Sequence, residues 1–366
     1  MNNLKPLLIS IILLALALIL NGCSVISPDL ETDRSAETPE LIDEPTNQTT
    51  EETPSESTTA VIPLPIPEIE VTSEAVVIEP AVTETPSESS AINSINEAEQ
   101  NIEYDLEQNA LRVGELCEEI GNTLDSVSIE DCLAQNLIAG DGLSVLGRPL
   151  AYRNYLPLES RDSIGRVMVI GGIHGDEYSA VSITFKWMQI LNEHHSGIFE
   201  WLFIPLSNPD GLLENVAQRQ NANGVDLNRN FPSSDWNELA LNYWRDRTGR
   251  NERRYPGQSK GSEPEVIWLI EQVKEFQPDV IISVHAPYHL VDYDGPPEAP
   301  ERLGDLQLKR LGVFPGSLGN YAGLDLQKPV VTIELPYAGI LPSESKISEM
   351  WTDLVAWLIQ ERSKHN

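Results

Sequence analysis

Three apolar runs along this chain each end in an ionisable side chain: Val167–Glu177 (VMVIGGIHGDE), Val280–His285 (VIISVH) and Val330–Glu334 (VVTIE). Short runs rich in Val and Ile, bounded by Gly or Pro, predict strands buried on both faces. Strands are expected at Arg166–Gly172, Phe199–Pro205, Pro278–Val284 and Pro329–Leu335, and an edge hairpin at Ser144–Tyr155, which alternates around a glycine. Between them, Tyr178–Asn192 carries Val181, Ile183, Trp187, Ile190 and Leu191 at helical spacing; Glu263–Phe276 and Glu344–Glu361 predict two further helices. Asn208-Pro209-Asp210-Gly211 is a strong turn signal. Strands alternating with helices predict an α/β domain whose sheet is covered on both faces.

The N-terminal part has a different pattern. Met1–Gly22 holds one Lys, Lys5, then the apolar stretch Leu7–Leu20, and ends in Leu20-Asn21-Gly22-Cys23. This reads as a secretion signal too short for a comfortable membrane span. A small residue directly before Cys fits lipoprotein processing, with Cys23 acylated as the new N-terminus; an ordinary signal peptide or an uncleaved anchor is the alternative. Either way the mature protein is extracytoplasmic. Ser24, where a retention signal would place Asp, favours the outer membrane in a Gram-negative cell. Residues 23–100 are rich in Glu, Thr, Ser and Pro and read as a disordered acidic tether. Residues 101–143 read as a helical extension and 144–366 as the main folded domain.

Composition adds one exclusion. The chain carries a net charge of −33, but Ser24–Ala110 alone has 21 Asp and Glu against the single Arg34. The acidity is therefore mostly a property of the tether. No basic stripe exists, which argues against nucleic-acid binding. Cys117 and Cys132, 15 residues apart in the helix-like stretches Leu106–Leu124 and Ile129–Leu137, are expected to form a disulfide in an oxidising compartment. Two free buried thiols are the alternative. The sequence does not reveal the oligomeric state.

Candidate chemistry lies at the strand ends. Two His and one carboxylate are the ligand set of a catalytic zinc with one open position. His174 and Glu177, three apart, and His285 supply such a set, and Gly171, Gly172 and Gly175 allow the sharp turn that brings them together. Glu334 is a further carboxylate able to take a proton from water. Of six His, His194, His195 and His365 read as surface residues. Arg219 and Gly224–Phe231 (GVDLNRNF) add two arginines and an Asn suited to a carboxylate-bearing substrate and a developing oxyanion. A loop stabilised by Arg–Asp surface pairs is the bland alternative.

The ordered set H-G-D-E, N-P-D-G, an Arg before G-V-D-L-N-R-N-F, S-V-H (Ser283–His285) and T-I-E-L-P (Thr332–Pro336) resembles the zinc metallocarboxypeptidases of the carboxypeptidase A type. Ser262–Glu265 (SEPE) and Ser317–Gly323 (SLGNYAG) resemble its murein peptide amidase branch. The resemblance covers about Ser144 to Trp357. It implies a single α/β/α domain with a mixed, mostly parallel twisted sheet. It further implies one zinc ion on His174, Glu177 and His285, Glu334 as general base and acid, and Arg219 on the oxyanion. Asn228 and Arg229 would hold the substrate carboxylate, and Tyr321 is the nearest candidate for a substrate-facing tyrosine. Asp292 and Asp294 could meet an amino group of the substrate or belong to a solvated loop. The implied substrate is the γ-D-glutamyl–meso-diaminopimelate amide of peptidoglycan peptides. Three other readings stay open: a general carboxypeptidase, an aspartoacylase-like deacylase, and an inactive lipoprotein that only binds wall peptides.

Overall fold

The computed structural model describes residues 88–364 apart from Pro297. The expected signal, Cys23, the tether as far as residue 87 and His365 lie outside these residues. Helix α1, Glu88–Thr123, begins inside the stretch expected to be tether. Its first residues contain Ala, Glu and Gln with Ile92 and Ile95 three apart and no Pro, a composition that favours helix. Helix α2, Ile129–Leu133, starts at a capping box in which Ser128 Oγ accepts from Asp131 N and Asp131 accepts from Ser128 N. Cys117 and Cys132 form a disulfide between the two helices, with Cα atoms 5.4 Å apart.

Among the described residues, nine strands form one sheet, in the order β1-β2-β4-β3-β5-β9-β6-β8-β7. The strands are β1 Ile138–Leu143, β2 Pro149–Tyr155, β3 Gly165–Ile170, β4 Phe199–Ile204, β5 Val280–His285, β6 Leu290–Asp294, β7 Arg302–Leu303, β8 Leu306–Leu308 and β9 Val330–Glu334. The sheet is mixed, as expected. Its central strands β4, β3, β5 and β9 are mutually parallel, whereas β1–β2, β2–β4, β6–β9 and β7–β8 pair antiparallel. Parallel pairing therefore belongs to the centre and to β6–β8, and does not dominate the whole sheet.

The segment expected to be a helical extension through residue 143 ends in β1, the edge strand. The hairpin joins β1 to β2 and lies one strand earlier than its sequence pattern suggested. Ile138–Leu143 (IAGDGL) has two glycines and alternates poorly, and tertiary pairing decides its state.

Alternate residues of the central strands enter two cores, as a sheet buried on both faces requires. Val167, Val169, Ile282, Val284, Val331 and Ile333 pack against α3 (Tyr178–His194) and α7 (Glu344–Ser363), with the disulfide-linked helices α1 and α2 in the same core. Met168, Ile170, Ile281 and Val330 pack with Val266, Leu269 and Val273 of α6 (Pro264–Phe276) and with Phe231, Leu318 and Tyr321. His285, Glu334 and Asp292 share the parity of this second face: His285 pairs with Glu334, and Leu290 with Glu334. Two shorter helices, α4 Pro209–Leu213 and α5 Trp236–Asp246, and a π-helical turn at Gly319–Asp325 complete this side. No described helix is long and apolar enough to cross a membrane.

Candidate active site

His174 follows β3 in a loop that turns at Gly172, whose φ is +61°, and a Cβ at Gly175 would run into the Gly211 backbone. Asn208 locks this loop to the next. Its Oδ1 accepts from Gly211 N, and its Nδ2 donates to the carbonyls of Ile173 and Arg219 at 3.2 Å. The N-P-D-G run thus ties the His174 loop to Arg219. Glu177 sits at the N-cap of α3, yet its side chain caps nothing and turns to the two histidines.

His174 Nδ1 lies 2.8 Å from Glu177 Oε1, His285 Nδ1 lies 3.0 Å from Glu177 Oε2, and the two Nδ1 atoms are 3.0 Å apart. All three residues are buried. Behind them, His174 Nε2 meets Asp226 Oδ1 at 3.2 Å and His285 Nε2 meets Ser283 Oγ at 3.0 Å. Each ring is thereby oriented from its far nitrogen, the support that metal-bound histidines use. Donors about 2.1 Å from one tetrahedral ion lie roughly 3.4 Å from each other, so a slight opening of these contacts admits one cation. The donor chemistry, two imidazoles and a carboxylate, suits a divalent metal.

Charge around this centre is arranged in layers. Burial alone would raise the Glu177 carboxyl, but His174 and His285 beside it hold it well below the usual carboxylate range. Asp226, also fully buried, is likewise held low, by the Arg219 guanidinium and His174. Arg219 donates from Nε to Asp226 Oδ2 at 2.9 Å, and its Nη1 lies 3.5 Å from Glu177 Oε1. Glu334 differs. It is buried and, among the described residues, its carboxylate takes only a long contact from Tyr288 N, at 3.5 Å. Burial, and after it the charge of Glu177, pushes its carboxyl well above the usual range. A buried acid prone to take a proton stands across from an ionised one.

Asn228 Oδ1 accepts from Leu318 N at 2.8 Å, which leaves its amide donors unclaimed by described residues. Arg229 is 8% exposed, lies over the Phe314 ring at 4.4 Å, and its guanidinium donates, among the described residues, only to the carbonyl of Asn228. No carboxylate among the described residues lies within ion-pair distance of it, and burial pushes it down to about 10. Beneath this loop, Asn221 Nδ2 donates to Glu263 and Glu265, and Asn221 Oδ1 accepts from Val225 N. The S-E-P-E run is thus a clamp under the Arg219–Arg229 segment.

The structure brings together His174, Glu177, His285, Glu334, Arg219, Asn228 and Arg229. It places Tyr321 elsewhere: the ring is buried in the second core and stacks on Phe231 at 5.9 Å, because the π-helical turn points it inward. Asp292 and Asp294 are in β6 rather than in a solvated loop; Asp292 accepts from Tyr293 N and Leu311 N. Sequence reasoning missed three contributors. Asp226 was visible as the acid of G-V-D-L-N-R, and Ser283 as the residue two before His285. Tyr288, 51% exposed with its amide facing Glu334, had only its closeness to His285 as a signal.

The sequence profile of the zinc carboxypeptidases matches residues 141–307. Murein peptide amidase A of Escherichia coli (strain K12) is 32% identical over 228 residues, spanning 59% of this chain and 88% of that protein. The chain belongs to the zinc carboxypeptidase family. Within this family it is also 31% identical to murein peptide amidase A of Vibrio campbellii over 209 residues, covering 53% of this chain and 77% of the relative. Among solved structures, a murein-tripeptide amidase from Escherichia coli O157 aligns with a TM-score of 0.42 and 29% identity, over 59% of this chain and 88% of that one. As a zinc carboxypeptidase-family member, the protein is a hydrolytic metallopeptidase, and His174, Glu177 and His285 form a cluster that could hold a metal ion.

Proposed function

We propose that the protein is an amidase with one zinc ion that hydrolyses the bond joining γ-D-glutamate to meso-diaminopimelate in peptidoglycan-derived peptides. The single observation behind this reading is Arg229: a buried guanidinium with no acid partner among the described residues, three positions from Asp226, which orients His174. A buried cation is costly unless paired, and a carboxylate on the leaving amino acid supplies the partner. The names of the relatives supply the class of substrate.

His174, Glu177 and His285 would hold zinc, which when bound polarises the scissile carbonyl and makes water more acidic. Glu334 accepts a proton from the attacking water and returns it to the nitrogen of the departing amine. Arg219, fixed by Asp226, turns its remaining donors to the oxyanion that develops on the carbonyl oxygen. Asn228 and Arg229 receive the leaving-side carboxylate and set the register of the amide over Glu334.

Chromatography of products from L-Ala-γ-D-Glu-meso-diaminopimelate, beside ordinary L-peptides and with and without a chelator, tests this reading. Release of diaminopimelate that the chelator abolishes is expected. Preferential removal of ordinary C-terminal residues would replace it with the general carboxypeptidase reading.

We further propose that Cys23 carries a lipid and that the domain works outside the cytoplasm at the end of its acidic tether, on the outer membrane. The signal-like Met1–Gly22 and the Cys117–Cys132 bond support this. Replacing Cys23 by Ser should move the protein from membranes to the soluble extracytoplasmic fraction; unchanged membrane association would reject the anchor.

A further inference from the structure

One arginine at the rim of the site has no role in the steps above. Arg253 lies on the 3-10 turn Glu252–Arg254, and its Nη2 donates to Asp176 Oδ2 at 2.7 Å. Asp176 is the residue directly before the ligand Glu177. The turn is tied to the Arg219–Asp226 loop from both ends: Gln220 Nε2 donates to the carbonyl of Glu252, and Asp226 N to that of Tyr255, each at 2.8 Å. Arg253 is thus stationed beside the metal-site loop by three separate contacts. Its side chain is 56% exposed, against 24% for Asp176. A guanidinium carries five N–H donors in a fork, and the bond to Asp176 occupies one of them. A single exposed ion pair contributes only about 0–1 kcal/mol to stability, which is a weak reason to build this one at the mouth of the site.

The order of groups gives Arg253 a side of the substrate. Arg229 faces Phe314, and its neighbour Asn228 accepts from Leu318 N. Arg219 lies between Asp226 and Glu177. Asp176, next to Glu177 in the chain, extends this series of contacts to Arg253. A substrate with its leaving-side carboxylate on Arg229 and its scissile carbonyl by Arg219 directs its acyl side toward Arg253. At this point a γ-linked glutamyl residue differs from every α-linked residue other than glutamate. It keeps its α-carboxylate free, four bonds from the scissile carbon and about 5 Å away when extended.

We propose that Arg253 is a specificity-determining residue that receives the free α-carboxylate of the γ-linked glutamyl residue on the acyl side of the amide. The proposal rests on the γ-glutamyl reading of the substrate given above. Arg253 donates to that carboxylate while Asp176 holds the guanidinium in place. Ordinary peptides without a glutamate at this position leave Arg253 in water.

The test compares zinc-loaded wild type and Arg253→Gln on two substrates: the γ-D-Glu tripeptide and its analogue with the glutamyl α-carboxylate converted to carboxamide. Charge-assisted bonds of this kind correspond to about tenfold to a hundredfold. Wild type should prefer the acid by that factor in kcat/KM. Arg253→Gln should lose the same factor on the acid and little on the amide, so that discrimination vanishes. Calorimetric binding of the acyl product L-alanyl-D-glutamate should weaken in parallel, while zinc content and melting temperature stay unchanged. A variant that still prefers the acid as wild type does, or that loses activity equally on both substrates, overturns the role of Arg253 and leaves the amidase reading standing. Failure of wild type on both substrates removes the γ-glutamyl reading, and this proposal with it.

Discussion

Glu334 and Asp226 are both buried carboxylates near the candidate metal ligands, yet their surroundings differ sharply. Asp226 is spoken for: it accepts from Arg219, from Asn228 N and, through Oδ1, meets His174 Nε2. Glu334 meets one distant amide and no cation within ion-pair distance among the described residues. Replacing Glu334 by Gln keeps shape and volume but removes the carboxylate proposed to move the proton. Zinc content by atomic absorption should stay near that of wild type while kcat falls by about 10²–10⁴; near-normal turnover would take the proton-transfer role from Glu334. Asp226→Asn should do the reverse. It loosens the tautomer and orientation of His174, so zinc affinity measured against a competing chelator should drop by about 10–100-fold. Unchanged affinity would mean that His174 is held by the loop alone. The sequence singled out His174, Glu177 and His285 as candidate ligands because they close apolar runs. It did not show Asp226 in its role, since an acid between Val225 and Leu227 reads equally as a surface partner until the fold carries it to His174.

At the level of elements, β6 is the one whose chemistry the pattern concealed. Leu290–Asp294 is short and carries two acids, so it resembles a loop, yet pairing with β9 puts Asp292 and Asp294 on the same face as Glu334. The π-helical turn passes directly over Asp294: side chains at Gly319 or Gly323 would collide with it. Burial, with the nearby charge of Asp292 and against that of Arg310, raises the Asp294 carboxyl to about 7. With an unfolded value near 3.8, the folded chain binds a proton that the unfolded chain has released at intermediate pH. This group's contribution to stability therefore falls as pH rises from about 4 to 7 and levels off above that. Asp294→Asn, fixed in the neutral form, removes the dependence. Its advantage over wild type in urea unfolding should grow across that window toward a ceiling of about 4 kcal/mol. Parallel curves for the two proteins at pH 5, 6, 7 and 8 would show that Asp294 is not buried as a neutral acid.

For the molecule as a whole, the centre of the sheet was legible and its margins were not. Val167–Ile170, Val280–Val284 and Val330–Ile333 are hydrophobic enough to declare buried parallel strands by themselves. The edge strand β1 and the short β7 and β8 exist because neighbours offer them hydrogen bonds, which no local run of residues encodes. The candidate metal site draws on the legible part: His174 follows β3, His285 ends the adjacent β5, and Glu177 opens the helix that packs across both. A cation bound there joins two neighbouring central strands and a core helix, and unfolding must release it. Binding to the folded chain alone contributes RT ln(1 + [L]/Kd), about 4 kcal/mol when free zinc is a thousandfold above Kd. Stripping the protein with a chelator should therefore lower the melting temperature of the whole domain in a single transition. Stoichiometric Zn²⁺ should restore it, and equal Mg²⁺ or Ca²⁺ should not, because two imidazoles are poor ligands for those ions. Glu177→Gln should melt near the stripped wild type and respond far less to added zinc. A melting curve indifferent to both chelator and Zn²⁺ would mean that these three side chains meet as a polar cluster of the core and do not bind a metal.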